Sequence, residues 1–380
     1  MSSFFNSFWM GGFECSDQLN VHGDRVDLLF ETRHLVMLEE DYRNIGKMGI
    51  KTVREGIRWS KVEVAPYVYN WEDVVRIMNT AHKTGIQIIW DLCHFGYPED
   101  LSPLHPKFTT RFVSMCKAFT ELHQVICPGE RLMVVPINEV SFFSWLGGDA
   151  SGTSPYCIGL GWTVKYHLMK AFIQGVEAIR SLEPTSVIIL SEPLIRITTD
   201  NEDPDYIEEV KAISENQFQV ADILCGRICQ ELGGKPEYLD VMGLNYYYPN
   251  QWNYETGRIL DWKKPEEEMN YIPLSQLLVE NYTRYRKPLM ISETSSVKED
   301  RPEWIHMISE NVRRVMALGC PILGVCIYPI LDRPDWDELD FWHHSGLWDN
   351  ETAQGGSERV LYEAYAAAIR EEILKHQVEK

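Results

Sequence analysis

Along the chain, short apolar or β-branched runs alternate with longer stretches in which apolar residues recur every three to four positions. These are the periodicities of buried strands and of amphipathic helices. The short runs are Phe8 to Gly12, Thr52 to Gly56, Ile86 to Cys93, Leu132 to Ile137, Val187 to Leu190, Val241 to Leu244, Leu289 to Ser292 and Ile322 to Tyr328, most of them entered from Gly, Pro or a charged turn. Helical patterning occupies Leu35 to Met48, Trp71 to Thr84, Lys107 to Ile126, Thr163 to Leu182, Asp205 to Leu232, Leu274 to Arg286, Pro302 to Leu318 and Glu358 to His376. Eight strands each followed by a helix predict an α/β protein of the (β/α)8 TIM-barrel type. A doubly wound open sheet alternates in the same way, but it would usually carry a Gly-rich phosphate loop after its first strand, and the sequence has none.

Between these elements the longer irregular segments are Tyr97 to Pro106, Ser141 to Leu160, Thr198 to Pro204, Tyr246 to Ile272 and Leu331 to Gly355. All follow the C-terminal end of a strand, the face on which barrel enzymes build their sites. No Ser/Gly-rich linker or internal repeat divides the 380 residues, so residues 1–380 read as one barrel domain.

Composition narrows the function. A formal charge of −20, with no local run of Lys and Arg, disfavours nucleic acid and anionic lipid as partners and leaves neutral small molecules as the natural ligands. Nine scattered Cys lack the spacing of a disulfide framework and read as reduced thiols. Cys225 and Cys229 lie four apart, which on a helix would stack two thiols, and the reading here is buried helix thiols rather than metal ligands. The start of the chain, Met1 to Gly12, has neither the basic region nor the cleavage site of a secretory signal, and no apolar run reaches membrane-spanning length. The expectation is a cytoplasmic protein.

The chemistry is written at two strand ends. In Val134-Val135-Pro136-Ile137-Asn138-Glu139 a buried strand runs into an amide and a carboxylic acid, and in Pro288-Leu289-Met290-Ile291-Ser292-Glu293 another ends in Glu. Packing asks for neither acid. Counted along the barrel these are strands four and seven, which face one another across part of the mouth. Two carboxyl groups in one cavity are what glycoside cleavage needs, one to protonate the leaving oxygen and one to attack the anomeric carbon.

These residues resemble glycoside hydrolase family 1, the β-glucosidase and β-galactosidase family of clan A, and the likeness runs nearly the whole chain. The resemblance implies Glu139 as acid/base and Glu293 as nucleophile. Phe8-Trp9-Met10-Gly11 followed by Gln18 looks like the first strand, whose Gln binds a sugar hydroxyl, and Arg54 matches the Arg beside the nucleophile. His94 in Leu92-Cys93-His94-Phe95-Gly96-Tyr97-Pro98 looks like the strand-three His that contacts the glycone. Gly243-Leu244-Asn245-Tyr246-Tyr247 resembles the strand-six motif and makes Tyr247 the residue that orients Glu293. Val325 to Trp336 resembles the strand-eight region, implying an aromatic platform at Tyr328, a sugar-binding acid at Asp335 and a second aromatic at Trp336. Together with Asn138 and Asn245 these form the implied carbohydrate site, which requires no metal and no organic cofactor. The sequence departs from the family in having Val140 after Asn138-Glu139, Thr294-Ser295 after the nucleophile, Tyr328 for a Trp and Asp335 for a Glu.

Plainer readings stand beside these. Arg54 can pair with Glu55 or Glu14, and Tyr328 and Trp336 can be ordinary packing aromatics. Glu192, in Ser191-Glu192-Pro193, is a rival acid that lacks a preceding Asn and sits on the wrong strand. His343-His344 fits a loop role better than a metal site. The functional expectation is a retaining β-glycosidase acting by double displacement on a carbohydrate substrate. The alternative is a non-catalytic carbohydrate-binding barrel in which the altered flanks have detuned both Glu. A metal-dependent barrel hydrolase would need His-x-His at strand one, where Gly11-Gly12-Phe13 stands.

Overall fold

The computed structural model describes residues 4–350 and 358–378, so the end of the loop expected from Leu331 to Gly355 lies outside the described residues. Each of the eight apolar runs forms a strand of one closed, parallel barrel: β1 (Trp9–Gly12), β2 (Thr52–Gly56), β3 (Gln87–Asp91), β4 (Met133–Val135), β5 (Val187–Pro193), β6 (Val241–Asn245), β7 (Leu289–Thr294) and β8 (Ile322–Ile327). Neighbours in sequence are neighbours in the ring, and β1 closes it by pairing with both β2 and β8. Around the barrel run α1 (His34–Lys47), α2 (Glu72–Thr84), α3 (Phe108–Ile126), α4 (Gly161–Leu182), α5 (Pro204–Glu215), α6 (Leu274–Tyr285), α7 (Arg301–Ala317) and α8 (Glu363–Val378).

Local chemistry explains where these helices begin and stop. In α2 the acids Glu72 and Asp73 occupy the first turn and His82 and Lys83 the last, complementing the helix dipole, and Gly85 at φ 71 supplies the left-handed cap. Its buried residues Val74, Ile77, Met78 and Ala81 recur at helical spacing and seat it on the barrel. All nine cysteines are free thiols. No helix among the described residues is long and apolar enough to cross a membrane.

Two expectations change. The helix expected from Asp205 to Leu232 breaks up: α5 ends at Glu215, a 3-10 turn spans Asn216–Phe218, and a second short helix, Gln219–Leu224, stops where Gly226 takes φ +70. Cys225 therefore caps a helix and Cys229 sits in a left-handed turn, so the two thiols are not stacked on one helix. Conversely, the loop expected from Ser141 to Leu160 opens with the short helix Val140–Gly148.

The barrel interior shows why the site lies at the C-terminal rim. A layer of Met10, Ile89, Met133, Val135, Val187, Ile189, Val241, Met290 and Cys326 fills the lower barrel. Side chains alternate along a strand, so residues two further on point into the same interior one layer higher. Those positions hold Asp91 after Ile89, Ser191 after Ile189, Ser292 after Met290 and Tyr328 after Cys326, with Arg54 two beyond Thr52. The apolar layer thus gives way abruptly to a polar one.

Candidate active site

Arg54 organises the polar layer. Its guanidinium is fully buried, and Nη1 donates to Glu293 Oε1 at 2.9 Å and to the Ser292 carbonyl at 2.8 Å. Nη2 donates to Asp91 Oδ1 at 2.8 Å, to Asp91 Oδ2 at 3.0 Å and to Asn138 Oδ1 at 3.1 Å. The plainer pairings with Glu55 or Glu14 are not made. Glu55 points to the opposite side of β2, where it accepts from Tyr42 at 2.6 Å and meets His34 Nε2 at 2.9 Å.

Glu293 reaches this cavity through a break in strand alternation. Ser292 already points inward, so regular pleating would turn Glu293 outward. The pairing of β7 with β6 shifts register between Ile291 and Glu293, and such a bulge re-aims a side chain. Its second oxygen, Oε2, accepts from the Tyr247 hydroxyl at 2.8 Å. Burial, with Glu293 and Glu139 alongside, pushes that hydroxyl well above its ordinary pKa, so Tyr247 remains a donor. Both Glu293 oxygens therefore face donors.

Glu139 is held in a contrasting environment. It follows β4 in a left-handed conformation, φ 45 and ψ 56, at the N-cap of the short helix. Asn245 Nδ2 donates to its Oε1 at 2.8 Å, leaving Oε2 as the atom to carry a proton. The Asn245 amide is oriented by Ser292 and Ser191, whose hydroxyls donate to Asn245 Oδ1 at 2.6 and 3.0 Å. Burial, then the Glu293 charge, push the Glu139 carboxyl up to about 8 against the Asn245 donation. At neutral pH it holds its proton. Glu139 and Glu293 are linked on two sides, through Asn245, which is in register with Glu293, and through Arg54 and Asn138.

The remaining expected residues fall into two groups. His94, Asn138 and Tyr328 are buried in this layer, and Gln18, in the loop after β1, is buried as well. Because Arg54 only donates, Asn138 Oδ1 must be its acceptor, which turns Asn138 Nδ2 toward His94 Nε2 at 3.2 Å. Burial lowers the His94 pKa, but the Cys15 thiol together with Asp91 and Glu14, 3.6 and 3.5 Å away, more than offsets it and raises the ring well above its ordinary value. Tyr328 is a floor rather than an open platform: it is 1% exposed, stacks on His94 at 5.7 Å and 3°, and carries Arg54 4.9 Å over its ring. Gly12 makes room for it, since a Cβ there would lie 1.9 Å from Tyr328 Cδ2. Among the described residues, the buried Gln18 Oε1 and Trp336 Nε1 have no hydrogen-bond partner.

Asp335 stands apart. Its Oδ1 accepts the N–H groups of Asp337 and Glu338 at 2.9 and 3.3 Å, and Oδ2 meets His343 Nε2 at 3.0 Å, so its acceptors serve its own loop. His343 thereby has the loop role expected of it, and His344 lies 3.6 Å from Asp332. Trp336 instead joins a chain of aromatic contacts, Phe95 at 5.6 Å and Phe142 at 6.0 Å, with Phe142 leading to the half-exposed Trp145 at 5.8 Å.

Two buried acids were not singled out by the sequence reading. Asp91 ends the apolar run Ile88-Ile89-Trp90 just as Glu293 ends its own, a signal available in the sequence. Glu14 lies in the loop after β1, accepts from Ser16 Oγ at 2.6 Å and faces His94 and Arg333, and nothing local in the sequence marks it. Cys15, Asp91 and His94 are close enough to share a cation. Arg54 already occupies Asp91, and burial pushes the Cys15 thiol up to about 12, so this donor set is spent.

No family model matches the sequence, and no curated protein matches it. Solved structures do. A β-glucosidase from Thermotoga maritima in complex with glucoimidazole superposes with a TM-score of 0.78 at 14% identity, over 98% of this chain and 100% of that one. The family 1 β-glucosidase of the same organism gives 0.76 at 16% identity over 97% and 98% of the two chains. The AHE enzyme from Alicyclobacillus herbarius gives 0.77 at 16% over 98% and 99%. In fold, end to end, this chain is similar to the family 1 β-glucosidases.

Proposed function

We propose that the protein is a retaining β-glycosidase that cleaves a β-linked glycoside by double displacement, with Glu293 as nucleophile and Glu139 as acid/base. The observation that carries this reading is the asymmetry of the two carboxyl groups. One is buried with a donor on each oxygen, and the other is half-buried, carries a single donor and has its carboxyl pushed up to about 8. A proton-bearing acid facing a second carboxyl that is fixed by donors on both oxygens is the arrangement that glycoside hydrolysis requires.

In the first step a Glu293 oxygen attacks the anomeric carbon, the bond to the aglycone oxygen breaks, and Glu139 delivers its proton to that oxygen. In the second, Glu139, now a carboxylate, takes a proton from water as the water oxygen attacks the same carbon and displaces Glu293. Arg54 and Tyr247 orient the nucleophile, and Asn245 fixes which oxygen of the acid carries the proton. The unpartnered Gln18 Oε1 and Trp336 Nε1 are assigned to substrate hydroxyls, over a floor of Tyr328 and His94. Arg54, Asn138 and Asp91 hold that floor in place. No step calls for a metal or an organic cofactor.

The test is proton NMR of the product formed from a panel of aryl β-glycosides. Retention is expected, with the β-anomer appearing first. First appearance of the α-anomer refutes double displacement, and sugar binding with no turnover across the panel favours the carbohydrate-binding alternative.

A further inference from the structure

Glu192, near the end of β5, is a buried acid that the steps above leave unused. It is 2% exposed. Two contacts tie it to the acid/base residue. The Glu139 N–H donates to the Ser191 carbonyl at 2.9 Å, which docks the chain leaving β4 on β5. Two residues past Glu139, the Ser141 N–H donates to Glu192 Oε2 at 3.1 Å and reaches Oε1 at 3.4 Å. Glu139 between these contacts sits in the left-handed region, which strains a residue with a Cβ unless its neighbours hold it there. Ser141 lies in the first turn of the helix Val140–Gly148, where N–H groups lack intrahelical acceptors and carry partial positive charge. A carboxylate satisfies both.

We propose that Glu192 is a positioning residue for the acid: its carboxylate clamps the turn that aims Glu139 into the cavity, and its negative charge keeps the Glu139 carboxyl loaded with its proton. The inference rests on the assignment of Glu139 as acid/base. The groups facing Glu139 are Glu293 on β7 and Glu192 on β5, which raise its pKa, and the Asn245 amide on β6 and His94 after β3, which lower it. Glu192 in turn faces Lys165 of α4, which donates to Gln219 Oε1 at 2.8 Å and also feels Asp149. Burial pushes Glu192 up to about 7, with Ser141 and Lys165 opposing. Glu192 is therefore largely ionised by the pH of about 8 at which Glu139 releases its proton. Its charge is present when it matters.

The experiment is a pH titration of the full chain labelled with carboxyl-13C glutamate and followed by NMR, the Glu139 resonance being assigned by its loss in Glu139→Gln. Glu192→Gln keeps an oxygen for the Ser141 N–H while removing the charge, so the fold is retained and the Glu139 midpoint falls by about half a pH unit or more. The alkaline limb of kcat/KM moves down with it, while kcat for aryl glycosides with good leaving groups changes little. A Glu139 midpoint that stays put or rises in the folded variant overturns the proposal. Should Glu192→Gln not fold, the wild type decides: the Glu139 resonance must show a second inflection where Glu192 titrates, and its absence overturns the proposal as well. Because the NMR reading needs no turnover, an inactive wild type with coupled titrations would defeat the glycosidase reading alone.

Discussion

Replacing Arg54 by Met, an unbranched apolar side chain, removes the one cation shared by Glu293 and Asp91 and strands two buried carboxylates. Breaking a buried, hydrogen-bonded ion pair by deleting one partner costs about 3–5 kcal/mol. Unfolding entropy of about 2.1 cal/mol/K per residue, taken over 380 residues, converts each kcal/mol into roughly 1.3 °C, so Tm at pH 7.5 falls by about 4–6 °C. The sign of its pH dependence follows from Asp91. Burial raises that carboxyl, but Arg54 and then His94 more than offset it, and the folded value lies below the usual one. In the wild type the group therefore contributes stability that is fully present above the unfolded pKa of about 4 and is lost as pH falls through the folded value. Without Arg54 only His94 opposes the effect of burial on Asp91, which can take up a proton as pH drops. The Tm gap between wild type and Arg54→Met is thus widest near neutrality and narrows toward pH 4.5. Scanning calorimetry across that range measures it, and a gap below about 1 °C, or one that does not change with pH, would refute the reasoning.

Three further outcomes follow from the same geometry. Glu139→Gln should lower kcat/KM by about 10²- to 10⁴-fold for alkyl glycosides and far less for aryl glycosides with good leaving groups, and wild-type activity should fall as pH rises through about 8, where Glu139 loses its proton; steady-state kinetics on matched substrates measures both. Tyr247→Phe removes a hydrogen bond to a charged group worth about 1.5–3 kcal/mol, so kcat/KM drops by about tenfold to a hundredfold and Tm falls by about 2–4 °C. Gly12→Ala drives a methyl into the Tyr328 ring, and an overpacking cost of about 1–3 kcal/mol should appear as a lower Tm by calorimetry together with a raised KM.

Much of this was legible in the sequence because strand-end acids conflict with packing. Glu139 and Glu293 stand where an apolar run has no use for a charge, and the order of the runs places them on β4 and β7. Asp91 carries the same signature, an acid that closes the apolar run Ile88-Ile89-Trp90. What the sequence did not carry is direction. The bulge in β7 that turns Glu293 inward and the left-handed turn at Glu139 are pairing effects between strands, invisible along one of them. Tyr328 could be read as an aromatic of the site, but its burial as a floor depends on Gly12, hundreds of residues away in the chain and next to it in the ring. The helix Asp205 to Leu232 failed because apolar periodicity outlasts the backbone break at Gly226, and the Asp335 contacts depend on a loop turning back on itself. Glu192 was weighed only as a rival acid, since its partner is a backbone N–H, which no side-chain pattern reveals.

Covalent trapping reaches the central claim directly. Incubation with a 2-fluoro β-glycoside bearing an activated leaving group, followed by proteolysis and mass mapping, should place a single fluoroglycosyl label on the peptide that contains Glu293. A label on another residue, or efficient turnover of β-glycosides with no trapped species, would contradict the assignment of that carboxylate as the nucleophile.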